Sequence, residues 1–421
     1  MPRVPDPEKQ PRRTGLSRLR PSLSCQGRHS RHARRGSPAS WGRTPLTIEV
    51  GQPVRRVLLV GLRTLGDVVL TTGAIPFFRE HFPEARVDYL TRPAYASLLA
   101  DEQALHRVLQ IPGRSGISSF EYLRRYGAFL KQLRESHYDL VIDFFVRGPR
   151  SRLITLATGA PLRMGMITHE SLLKSRINAL VYTRRISPPV QIPRETDRVS
   201  YLLSRISRTP ERTLPCLTVT EENIRETGAF LEKHSPSGQD FWVLFYGSGI
   251  PQKNWHPDRF AEIARRLAGT GVDVYCLGGE MDRAAEGALA RSLGSSPPGI
   301  HFGTQLPWGI LKGLCHLAKG AVGNDSGPLH LAQAVGCPSV VVFGPGDHVS
   351  YPPFLGRAVF GSLACQPCQS FAGHCPDNQC MTAVSVETVW EAIRTLPSRT
   401  PLPEGIPLAQ SPRFRSPREG G

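Results

Sequence analysis

No apolar run in this chain of 421 residues approaches the roughly 18 residues that a helix needs to cross a bilayer. The basic N-terminus has no apolar h-region, so no secretory signal is expected. The expected compartment is the cytoplasm, with work at a membrane surface left open. No short repeat marks a solenoid. The first apolar strand is not followed by G-x-G-x-x-G, which weakens a dinucleotide site. No D-x-D pair offers a metal site, although a loosely held Mg²⁺ stays open. Acidic residues are scarce, at 35 against 52 Lys and Arg, for a net charge of +17.

That charge is unevenly placed. Residues 1–49 hold 11 Lys and Arg against 3 Asp and Glu, about half of the excess. Residues 1–52 are rich in Arg, Pro, Ser and Gly with no apolar period, and read as a disordered basic arm. The remaining positive charge suits an anionic partner: a nucleotide, a phosphorylated glycolipid, a membrane surface or nucleic acid. A solvated basic surface is the plain alternative. No stacking-aromatic or helix-turn-helix pattern supports nucleic acid, and none is expected as a partner. The tail from 398 to 421 is Pro-rich and also reads as disordered.

Between these ends lie two β/α series, 53–215 and 216–397. The first opens with Val57–Val60, a continuous apolar run suited to a buried parallel strand. Gly61–Asp67 follows, then a helical run to His81 that Pro76 should kink or restart. Asp67 falls past the strand's carboxyl end, where α/β proteins bind ligands. A helix cap is the competing role. Further strands are expected at Arg86–Tyr89, Arg107–Ile111 and Leu140–Phe145. Arg147, Arg150 and Arg152 follow the last of these and are suited to bidentate phosphate contacts, or to a solvated basic turn.

In the second series, four loops follow strands: Gly247–Trp255, Gly278–Glu280, Asn324–His330 and Gly344–Asp347. In a parallel sheet they share one edge. Ser248 and the Gly247 and Gly249 backbone can approach a phosphate, and Lys253 can neutralise it. Glu280 can accept from a ribose or base. Ser326 can cap a helix, with Gly327 and Pro328 in its first turn and His330 beside it. The N–H groups there form an anion site. These parts suit a nucleotide sugar.

Of nine cysteines, Cys25, Cys216, Cys276, Cys315 and Cys337 are isolated and read as small core residues. Cys365, Cys368, Cys375 and Cys380 are spaced C-x2-C-x6-C-x4-C. A structural zinc site, reduced packing thiols and redox pairs are all open readings, none catalytic.

Two stretches, LRTLGDVVLTTGAIPFFREHFPEARVDYL and GNDSGPLHLAQAVGCPSVVVFGPG, resemble glycosyltransferase family 9, the ADP-heptose:lipopolysaccharide heptosyltransferases. LACQPCQSFAGHCPDNQCM resembles the cysteine-bearing members, and the likeness runs from about Val54 to Leu396. The resemblance implies a GT-B fold, α/β, with two Rossmann-like domains facing across a cleft. It implies inverting transfer of a heptose from a nucleotide-sugar donor to an anionic lipid-linked oligosaccharide, peripherally at the cytoplasmic face of the inner membrane, with no cofactor required for catalysis. By position, Asp67 matches the general base, Lys253 a donor-diphosphate contact and Glu280 a ribose contact. Asp325, Ser326, Gly327 and His330 match the D-[ST]-G-x-x-H pattern of the donor site, and Ser248 stands where some members carry Thr. Thr64 and the arginines after Leu140–Phe145 fall on the acceptor side. Transfer of another sugar to a surface glycan, a GT-B nucleotide-sugar epimerase and a basic nucleic-acid-binding protein are the alternative functions.

Overall fold

A computed structural model describes residues 53–397, except 147, 168–171, 208–212, 235–239, 296, 369–374 and 376–377. The basic arm, the Pro-rich tail and Arg147 lie outside the described residues. Twelve strands form two six-stranded, wholly parallel sheets. The first holds β1 (Arg56–Val60), β2 (Arg86–Thr91), β3 (Arg107–Gln110), β4 (Leu140–Asp143), β5 (Leu162–Met166) and β6 (Arg184–Ile186). The second holds β7 (Phe241–Phe245), β8 (Asp273–Gly278), β9 (Ile300–Thr304), β10 (Gly320–Asn324), β11 (Ser339–Phe343) and β12 (Gly356–Phe360).

Their orders, β3-β2-β1-β4-β5-β6 and β12-β11-β10-β7-β8-β9, are the same doubly wound pattern. In each sheet the first strand pairs with the fourth, β1 with β4 and β7 with β10. The chain leaves these neighbours in opposite directions, which opens a crevice at their carboxyl ends. The central strands are apolar throughout because helices cover both faces: Leu58, Leu59, Val243 and Val322 are fully buried.

The helices of the first unit are α1 (Leu65–Thr71), α2 (Ala74–His81), α3 (Ser119–Glu135), α4 (Pro149–Ala157), α5 (Leu172–Val181) and α6 (Glu195–Leu203). The second unit has α7 (Glu221–His234), α8 (Pro257–Ala268), α9 (Arg283–Leu293), α10 (Trp308–Leu317), α11 (Gly327–Ala334) and α12 (Val386–Arg394). The expected restart before Pro76 is present. The chain breaks at Thr72 and Gly73, and Pro76 becomes the third residue of α2, where no intrahelical N–H is needed.

One apolar cluster runs through both units, from Leu59, Phe78 and Leu202 to Phe245, Leu314 and Leu329. Polar ties add to it. Lys312 on α10 is fully buried, pairs with Asp101 and donates 3.0 Å to the Thr218 carbonyl. Glu102 accepts from the Thr218 amide and hydroxyl at 2.7 and 2.8 Å. Trp308 Nε1 donates 2.9 Å to the Ala94 carbonyl.

Cys276, Cys315 and Cys337 are buried outside any disulfide, and Cys216 is buried in a disulfide. Cys365, Cys368, Cys375 and Cys380 are not disulfide-bonded, and Cys380 alone of them is buried. Among the described residues no three His, Cys, Asp or Glu side chains group to hold a metal, so the zinc reading gains no support from geometry. No helix among the described residues is long and apolar enough to cross a membrane.

Candidate active site

Asp67 sits in the first turn of α1, directly after β1, and is almost fully buried. Its Oδ2 accepts from the Thr64 hydroxyl at 2.7 Å and the Thr64 amide at 3.2 Å. Its Oδ1 meets the Arg63 guanidinium at 3.2 Å. Arg63 in turn lies over the Phe145 ring, 5.3 Å from the centroid. The carboxylate therefore does cap α1, and the same bonds fix its direction. Thr64 is a holder of Asp67. Arg63 is a second holder that sequence reasoning missed; its place four residues before Asp67 across a helix start was the available signal.

The loop after β10 supplies the opposite wall. Asn324 is buried, donating 2.8 Å to the Tyr246 carbonyl and accepting 2.8 Å from the Trp255 amide. Trp255 is buried and donates through Nε1 to the Val384 carbonyl. These bonds tie the loop after β7 to the loop after β10. They bring Lys253 Nζ to 2.5 Å from Asp325 Oδ2. Gly346 permits this, because a Cβ there would run into the Asp325 carboxylate.

Ser326 takes the extended N-cap conformation, with Pro328 in the first turn of α11. Contrary to expectation, its hydroxyl makes no cap bond; Oγ is buried and has no partner among the described residues. His330 Nδ1 is likewise buried and unpartnered. Burial holds the His330 imidazole below its ordinary pKa, against the upward pull of Asp325 and Asp67, and Lys253 adds to the lowering. A neutral ring can donate or accept at an unpartnered nitrogen. Two buried polar atoms without partners at a helix N-terminus suit an anionic ligand that accepts hydrogen bonds.

The two walls touch through glycines. A Cβ on Gly66 would lie 3.0 Å from His330 Cδ2, and one on Gly327 would lie 2.7 Å from Leu65 Cβ. Side chains at either position would drive α1 and α11 apart.

Other expected residues are placed differently. The Ser248 hydroxyl lies 2.7 Å from both the Ile250 carbonyl and Asn254 Oδ1, so it is engaged locally. The Gly249 amide faces Asp282 Oδ1 at 3.3 Å, and the Gly279 amide donates to Asp282 Oδ2 at 2.9 Å. Asp282, which the sequence did not single out, takes the Gly249 N–H that was expected to approach a phosphate. Glu280 is exposed and held by Arg283 at 2.8 and 3.1 Å, which keeps its carboxyl below the usual range. On the acceptor side, Arg152 donates 2.6 Å to Asn178 Oδ1, joining α4 to α5. Arg150 is exposed near Tyr126.

Two parallel sheets of one topology, with a held carboxylate on one wall and an anion-ready helix start on the other, define a two-domain α/β enzyme working in a cleft. Residues 126–379 match the model of "Glycosyltransferase family 9 (heptosyltransferase)", and the chain belongs to that family. It is 27% identical over 331 residues to lipopolysaccharide heptosyltransferase 1 of Pseudomonas aeruginosa, covering 74% of this chain and 86% of that one. It is 24% identical over 302 residues to lipopolysaccharide heptosyltransferase 3 of Escherichia coli, covering 71% and 85%. Among solved structures, E. coli ADP-heptose lps heptosyltransferase II aligns with a TM-score of 0.61 at 18% identity, over 80% of this chain and 97% of that one. The glycosyl transferase family 9 protein of Veillonella parvula aligns with a TM-score of 0.66 at 19% identity, over 81% and 96%. The fold is GT-B and the chain is a glycosyltransferase.

Proposed function

We propose that this enzyme transfers a heptose from ADP-heptose to a lipopolysaccharide-core acceptor, with inversion at the anomeric carbon. The relatives support the substrates, being lipopolysaccharide heptosyltransferases by name. The observation that carries the mechanism is the meeting of Asp67 with the start of α11 across the cleft. Asp67, held by Thr64 and Arg63, takes the proton of the acceptor hydroxyl as that oxygen attacks the sugar. The bond to the diphosphate breaks from the opposite face. Lys253, Ser326, His330 and the first N–H groups of α11 receive the charge that leaves. In this reading no metal takes part in the transfer. Glu280 reaches the ribose by exchanging its Arg283 contact, and Arg150 meets acceptor phosphate.

The test is purified full-length enzyme supplied with a panel of nucleotide sugars and a lipid A–core acceptor, with product mass and anomeric configuration measured. Heptose addition with inverted configuration, unchanged in a chelator, is expected. Transfer of a different sugar, retained configuration, or sugar conversion without acceptor would overturn the reading.

A further inference from the structure

The helices of the first unit divide into two layers. Right-handed crossovers put α3, α4 and α5 on one face of the sheet, because β3→β4, β4→β5 and β5→β6 all step the same way across it. The other face carries α1, α2 and α6, and α1 packs on α11 of the second unit. The α3–α4–α5 layer therefore faces away from the second unit.

Its inner side is an ordinary core. Phe129 and Leu133 of α3 and Ile154 of α4 are buried beneath it. Its outer side is not ordinary. On α5, Leu173, Ile177 and Leu180 stand at i, i+4 and i+7, the spacing of a buried stripe, yet Leu173 is 69% and Leu180 77% exposed. Leu153 and Leu156 of α4 share a face and are exposed. Phe120 and Leu123 begin α3 at 79% and 67% exposure. The three helices pack side by side, α3 on α4 and α4 on α5. Together they carry eight Lys or Arg and two Glu. Both acids are already held, Glu121 by Arg124 and Arg125 and Glu135 by Lys131.

We propose that this layer is a docking face for an anionic phospholipid bilayer. Apolar side chains beside cations that outnumber the acids, with Arg150, Lys174 and Arg176 beyond the ion pairs of α3, are what an interfacial helix needs: the leucines enter the acyl boundary and the cations meet headgroup phosphates. A second copy fits less well, since a two-fold contact would set the same positive face against itself. The face also borders the cleft. α4 begins just after β4, and β4 is the neighbour of β1, which leads to Asp67. The start of α4 and the loop that holds Asp67 thus share the carboxyl edge of one sheet. This goes beyond the proposed reaction, and its test uses neither donor nor acceptor, so the two can fail separately.

Full-length protein is sedimented with phosphatidylcholine vesicles with and without phosphatidylglycerol. Binding is expected to the anionic vesicles, and Leu173→Ser/Ile177→Ser/Leu180→Ser should weaken it by about tenfold or more with an unchanged melting temperature. Because the basic arm can also attract vesicles, Leu180→Trp is examined with brominated lipid. The introduced indole should be quenched on binding. Binding without that quenching assigns attachment to another part of the chain and overturns the proposal, as does a triple variant that binds like wild type. A wild-type protein that ignores anionic vesicles, or a triple variant that only turns a dimer into a monomer, overturns it too.

Discussion

Gly66 of the first unit and His330 of the second stand against each other across the cleft, with room for a hydrogen but not for a methyl group: a Cβ on Gly66 would lie 3.0 Å from the ring. Gly66→Ala should lower the melting temperature modestly, by the equivalent of about 1 kcal/mol, because the added methyl overpacks the contact between α1 and α11. Activity should fall on the order of 10- to 100-fold, because the walls that align base and leaving group move apart. Thermal melts beside steady-state kinetics check the pair of effects. Equal loss of stability and activity would point to simple misfolding.

Asp67→Asn keeps the shape of the carboxylate and removes its basicity. Transfer should fall by about 10²–10⁴-fold while ADP binding, measured by calorimetry, stays close to wild type. Full turnover in this variant would remove Asp67 from the reaction.

Lys253→Met should act on the donor side. In the proposed reaction this cation meets the diphosphate, so a loss of about 10²-fold in turnover is expected. Because Asp325 is left buried without its partner, Lys253→Met/Asp325→Asn should bind ADP better than Lys253→Met alone. Binding by calorimetry across the four proteins reads the coupling.

His330 gives a pH signature in stability. Its folded pKa is below its unfolded value, so folding favours the neutral ring. That contribution is complete above the unfolded pKa of about 6.5 and is lost as the pH falls from there toward the folded value. Wild type should lose stability relative to His330→Gln between neutral pH and about pH 5. Urea unfolding of both proteins across that range gives the sign, and a parallel pH dependence in the two would exclude it.

Lys312→Met should be tolerated better than Asp101→Asn. The first replaces a fully buried charge with an apolar chain of similar length; the second leaves that charge only the Thr218 carbonyl and the nearby Glu102 carboxylate and costs about 1–3 kcal/mol. Denaturant midpoints of the two variants test the order.

The sequence was most readable where strands are apolar throughout. Val57–Val60 and Ser339–Phe343 stood out because both faces of a parallel sheet are covered. The edge strands β6 and β12 did not. Each is partly exposed, and β12 opens at a left-handed Gly356 lodged against Ser339. Strand order was also hidden, since pairing of β1 with β4 is a long-range fact that local periodicity does not carry. Within the site, Asp67, Lys253, Asp325, Ser326 and His330 were legible because each follows a strand end. Arg63, Asn324 and Asp282 were not singled out: their work is to hold other polar groups, and that depends on loops that meet only in three dimensions. Arg152 carries a tie that its spacing did not show. Its place in the chain suggested phosphate, and its guanidinium is used between two helices.

The division of labour between the sheets has an evolutionary reading. In the proposed reaction the groups that meet the nucleotide come from after β7, β8 and β10, and those that meet the acceptor from after β1 and β4. The chain passes between the sheets near Cys216 and Leu217, where the Leu217 amide bonds to the Ala334 carbonyl. A chimera joined there should inherit its donor from one parent and its acceptor from the other, provided that Gly66 and Gly327 are both retained. Specificity for the two substrates can then drift separately, with the glycine contact as the shared constraint on both halves.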